Sequence, residues 1–213
     1  MLPLQLPTRE SSGLSEVQNL AAVSFDASAS GGYSGNNPIN LITSTQWTAV
    51  SGTRTTSNGV AVFDLDGGYF ESPATDRQAL CATADPVASI LSPSTPYGYT
   101  TATWIDWRDS DSGWRTLFRA DTGGHLVIVQ NGNKNLGVYS NANGGFRDSG
   151  YDITTSGWQL VVSVSQDDDG AADRGVGGTT SHYVGTALSA PSYVGVSDRA
   201  PACGRNLYRL GWP

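Results

Sequence analysis

From Val23 onward the chain carries only short apolar segments, each cut off by Gly, Asn, Asp or Pro. Successive segments start about ten residues apart, the repeat of a strand plus a turn in a two-sheet β domain. The spacing predicts strands at Val60–Phe63 with Gly68–Glu71, and at Tyr99–Trp107, Trp114–Arg119, His125–Gln130 and Asn135–Tyr139. Three more are expected at Trp158–Ser165, Ser181–Val184 and Ser192–Val196. Asn131-Gly132 lies between two of these segments and is the strongest hairpin signal, because both residue types accept the positive φ of a tight reversal. Asp66-Gly67, Asp121 to Gly124, Asn143-Gly144 and Asp169-Gly170 mark further turns.

Composition points the same way. The 213 residues hold 26 Gly, 10 Pro, 6 Trp and 9 Tyr, with Glu only at positions 10, 16 and 71 and Lys only at 134. Helices laced with Glu and Lys pairs are therefore not expected. A chain this long buries roughly 70% of its unfolded surface and needs no staple to fold. The organisation expected is an N-terminal arm, residues 1–22, on one β-sandwich domain, residues 23–213. In the arm, Pro3 and Pro7 break regular structure, while Leu14, Val17 and Leu20 share a side of a one- or two-turn helix.

The formal charge of −7 repels a phosphate backbone, so nucleic acid is not an expected partner. Apolar runs such as His125–Val129 and Leu160–Val164 fall far short of the ~20 residues of a membrane helix, and the chain is not expected to span a bilayer. The N-terminus has neither the basic region nor the apolar core of a signal peptide. Either the protein is intracellular or a presequence has been removed; an extracellular or lumenal site is favoured over the cytoplasm. Cys81 and Cys203 have no ligand-spaced neighbours for zinc, which leaves a disulfide or two free thiols.

Four segments, in order, resemble the LamG-like, or concanavalin A-like, jelly-roll family. They are Gly59–Glu71, with its Phe63-Asp-Leu-Asp-Gly67 core; Thr100–Ile105; Gly157–Ser163; and His182–Gly185. The similarity covers about residues 25–213 and implies an antiparallel two-sheet jelly-roll. In two places the chain departs from the pattern: Val184-Gly185 stands where the family has Asp-Gly, and the sequence ends at Leu210-Gly-Trp-Pro213, where relatives continue into a closing strand. The native polypeptide is accordingly expected to extend further. Jelly-rolls host lectins, glycan-cleaving enzymes and structural modules, so the fold alone selects none of these.

Glycosidases need two carboxylates converging on one bond, and the resemblance would place them in a compact Glu-rich strand that is missing here. Asp106, Asp109 and Asp111 are the substitutes at hand, yet Asp109 and Asp111 sit in a turn-like stretch where Asp caps backbone amides. Polysaccharide lyases of similar shape use a Tyr and His pair. His125 and His182 are the two histidines, and each reads as a strand-surface residue. If a metal binds, the oxygen-rich composition suits Ca²⁺, with Asp109 and Asp111, or Asp167, Asp169 and Asp173, as ligands; solvated turn carboxylates are the plainer account.

For sugar recognition, aromatic faces must stand beside polar side chains. Residues 139–151 are expected to supply them as one loop, with Tyr139, Asn141, Asn143, Arg147 and Asp148 as ligand contacts, and Trp107 and Trp114, flanking another loop, are expected as further contacts. The plainer account is that Phe146 and Tyr151 cover the end of the sandwich while Arg147 pairs with Asp148 or Asp152. Trp104 and Trp158 are expected in the core. Two functions are thus open: a carbohydrate-binding or adhesion module, calcium-assisted or not, and a structural subunit of a larger assembly. A polysaccharide-active enzyme ranks third.

Overall fold

Asn131 to Lys134 reverse the chain, with Gly132 at φ 78°, as glycine readily adopts, and Lys134 at φ 60° although its side chain does not favour it. The Gln130 amide donates to the Asn135 carbonyl at 2.8 Å and closes a four-residue loop, two residues wider than the Asn-Gly pair alone implies. The computed structural model describes residues 25, 30–50, 54–57, 60–63, 69–73, 98–108, 113–120, 124–140, 145–154, 157–166, 177–200 and 208–211. The arm at 1–22, Cys81, Cys203, Asp109, Asp111, Asn141, Asn143 and the Asp167–Asp173 cluster lie outside them.

The described residues are all β, with no helix. In chain order the strands are β1 Tyr33–Ser34, β2 Asn37–Pro38, β3 Thr48–Val50, β4 Arg54–Ser57, β5 Val60–Phe63, β6 Tyr69–Glu71, β7 Gly98–Asp106 and β8 Arg115–Ala120. There follow β9 Gly124–Val129, β10 Asn135–Ser140, β11 Gly145–Asp152, β12 Trp158–Gln166, β13 Thr179–Thr186, β14 Ser189–Ser197 and β15 Tyr208–Gly211. Two antiparallel sheets dominate: seven strands in the order β11-β10-β9-β8-β15-β6-β3, and four in the order β14-β13-β12-β7. The last strand, β15, sits between β8 and β6, in the interior of the larger sheet. Segment β5 pairs with β4, not with β6, so the expected early strand pair divides between two sheets.

One apolar cluster joins the sheets. Leu117, Val127, Val129 and Leu136 come from the larger sheet, Val161 and Val184 from the smaller, with Trp107 and Ile153 closing one end. Burying each of these side chains contributes about 1.5–3 kcal/mol. The arrangement is that of a sandwich, with side chains of both sheets meeting in a shared layer.

At one edge the sheets nearly touch. A Cβ on Gly195 of β14 would collide with the Ser149 carbonyl of β11. Glycine is thus needed there for backbone approach rather than for flexibility. Across the same seam Ser197 Oγ donates to the Arg147 carbonyl at 2.8 Å, and Tyr151 Oη donates to Gln159 Oε1 at 3.3 Å.

Candidate functional site

Register decides which side chains share a face, since neighbours along a strand point to opposite sides. On β12, Gln159, Val161, Ser163 and Ser165 are buried, whereas Trp158, Leu160, Val162 and Val164 face the other way. The more apolar set is therefore the outward one. Leu160 stands opposite Trp104, Val162 opposite Ala102 and Tyr183, and Trp158 opposite Asp106. Tyr193 of β14 continues the Val162 rung beyond Tyr183 and meets Tyr183 edge-on, with ring centroids 5.9 Å apart. Trp104 is 48% exposed, Trp158 42% and Tyr193 58%. Both indoles were expected in the core, and the structure corrects this. The alternation of β12 contains the signal, but it is ambiguous because both of its faces carry valines.

Polar side chains on the inner face of this sheet satisfy one another. Ser197 Oγ donates to the Arg147 carbonyl, so it accepts from His182 Nε2 at 3.1 Å; His182 Nδ1 then accepts from Ser163 Oγ at 2.9 Å. Both ring nitrogens are used, and the neutral Nε2–H tautomer follows. Ser165 Oγ donates to Thr180 Oγ1 at 2.8 Å, which passes a bond to the Arg199 carbonyl at 2.7 Å. Burial pushes His182 down to about 4. His182 is completely enclosed, contrary to the surface position expected of it. Ser163 and His182 form a nucleophile-like pair in composition only, because a substrate has no access to the buried Ser163 Oγ.

The expected aromatic loop is in part a strand. Residues 145–152 form β11, the edge of the larger sheet, paired with β10. Phe146 is opposite Tyr139, and Gly137 leaves room for the Phe146 ring, which lies where a side chain on Gly137 would stand. Trp114, just before β8, packs edge-to-face on Phe146 at 5.3 Å and on Tyr139 at 5.8 Å between centroids. Tyr139 in turn meets His125 at 5.5 Å. His125 is half-buried, bonded through Nδ1 to Thr116 Oγ1 at 2.7 Å, and held down to about 4 by burial and then by the Arg119 charge. These rings contact one another edge-on rather than forming an open platform.

Alternation separates Arg147 from Asp148. Arg147 Nε lies 3.2 Å from Asp198 Oδ1, beyond β14, rather than beside Asp148 or Asp152. Asp148 accepts from Asn135 Nδ2 at 2.8 Å and from the Gly150 amide at 2.7 Å. Asp152 caps Thr154 in the same manner, accepting from its amide at 2.9 Å.

Trp107, expected as a ligand contact, is buried instead. It is 7% exposed, belongs to the core and has Lys134 Nζ 5.9 Å from its ring centroid. The one lysine of the chain is consequently drawn inward, its stem covering the end of the core. Asp106 accepts from Arg108 Nε at 2.9 Å. Among the described residues no three His, Cys, Asp or Glu side chains gather as metal ligands, and no helix is long and apolar enough to cross a membrane.

No family model matches this chain, and comparison with curated proteins and with solved structures returns no match.

Proposed function

We propose that this chain is a non-catalytic interaction module, a subunit of a larger assembly, working through the outer face of the four-stranded sheet. One observation carries the reading: β12 turns Trp158, Leu160, Val162 and Val164 away from the core while polar Gln159, Ser163 and Ser165 face into it. Apolar surface left in water costs roughly 25 cal/mol per Å², and a contiguous patch of this kind marks a contact surface. A protein partner is favoured because Ala102, Val162 and Val164 form an apolar strip along the middle of the face, flanked by the Tyr183 and Tyr193 rings.

The jelly-roll reading of LamG-like type belongs to this proposal. It draws support from three of its four motifs, which fall on β7, β12 and β13, adjacent strands of one sheet. A photo-crosslinking residue at position 158 tests the function, with position 188 as control; Leu188 is 99% exposed at the tip of the β13–β14 hairpin. Adducts formed from 158 and not from 188 are expected. Equal yields from both, or none from 158, would sink the reading.

A carbohydrate-binding module is the second reading, favoured by the exposed Trp158 ring, whose register partner Asp106 is paired with Arg108 and sets polar groups beside the indole. A glycan array, probed with and without calcium, decides it. No retention of the full chain on any glycan rules this reading out.

A further inference from the structure

We propose that the occupant of the outer face is a second copy of this chain, with the two four-stranded sheets packed face to face about a twofold axis. The inference rests on the interaction reading above and adds the identity of the partner. Charge sets the first condition. At −7, two copies repel at long range, so a contact between them must use surface without net charge. Among the described residues of β7, β12, β13 and β14 the one acid is Asp106, and Arg108 pairs with it within the same copy.

Extent is the first support. Four strands of eight or nine residues, spaced about 4.8 Å and rising about 3.3 Å per residue, present roughly 500 Å² of face. Two copies then bury about 1,000 Å², the scale at which a specific protein interface begins. Shape is the second. The face is an antiparallel sheet, in register across β7, β12 and β13 and bulged between β13 and β14, and two such faces pack about 10 Å apart with strands aligned within ~30°. An isologous pair closes on itself and leaves no unsatisfied copy of the patch.

Sedimentation velocity of the full chain from about 1 to about 200 µM is the test, a range spanning dissociation constants of a modest homodimer. The expected mass rises toward twice 22.3 kDa. Trp104→Glu places a charge on the exposed face and should weaken association by about 100-fold or more, the effect of losing an aromatic anchor. Val162→Lys should do the same from the centre of the face. Trp114→Phe, on the other sheet, should leave association unchanged. Circular dichroism of each variant checks the fold; if Val162→Lys fails to fold, Trp104→Glu decides alone, since its side chain is already half in solvent. A wild-type chain that stays monomeric throughout overturns the proposal, as does a dimer indifferent to Trp104→Glu. Adducts at position 158 from a different protein, with a monomeric chain, would overturn the homodimer and leave the interaction reading standing. Absence of both association and adducts overturns the two together.

Discussion

His182 shows how a single residue's surroundings set its chemistry. Its neighbours on β12 and β14 are Ser163 and Ser197, and the imidazole is neutral because burial opposes its charge. The folded value of about 4 lies below the ordinary 6.5, so the unfolded chain takes up the proton first. Stability is untouched above about pH 6.5 and falls as the pH drops toward 4, by on the order of 3 kcal/mol for a shift of this size. Urea denaturation at several pH values should show that loss in the wild type and a smaller one in His182→Gln. Parallel curves for the two proteins would refute the assignment. Lys134 makes the same point for a charge: its position over Trp107 follows from the hairpin that carries it.

At the scale of elements, the instructive strand is β11. Residues 145–152 include Gly145 and Gly150 with Arg147, Asp148 and Ser149, a composition that reads as loop. They are extended because β10 supplies a ladder and β14 supplies a backbone close enough for the Ser197 bond. Gly195→Ala tests that seam. Its methyl group meets the Ser149 carbonyl, so the substitution should cost about 1–3 kcal/mol. The measurement is the shift in urea midpoint; a change below about 0.5 kcal/mol, typical of a surface site, would mean that the two edges separate easily. The β9–β10 hairpin is the opposite case. Its Asn131-Gly132 signal and apolar flanks are local, and the structure follows them.

For the molecule as a whole, charge and apolar surface pull in opposite directions. A charge of −7 disperses copies of the chain, and the outer face of β7, β12, β13 and β14 gathers them. Screening weakens the first and leaves the second. Association should therefore tighten, by about tenfold between low and moderate salt, when sedimentation is repeated across ionic strengths. Weakening with salt would instead identify an ion-paired contact and count against the apolar face.

Short apolar segments, Gly and Asn at reversals, and the near absence of Glu and Lys were enough to read an all-β chain and to place nine of the fifteen strands of the described residues, while β1 to β4, β11 and β15 were not legible. Those features act locally, through turn geometry and strand periodicity, and need no partner segment. Sidedness was not legible. Trp104 and Trp158 were assigned to the core because large apolar residues usually lie there, and Trp107 to a surface platform because a polar turn follows it. A strand with valines on both faces has two ways to pack. The choice between them rests with the opposing sheet, through the bond Gln159 accepts from Tyr151 and the Ser163–His182–Ser197 chain that ends on the Arg147 carbonyl. Outward Trp158, Leu160, Val162 and Val164 are the consequence, and they set the surface from which the function is argued.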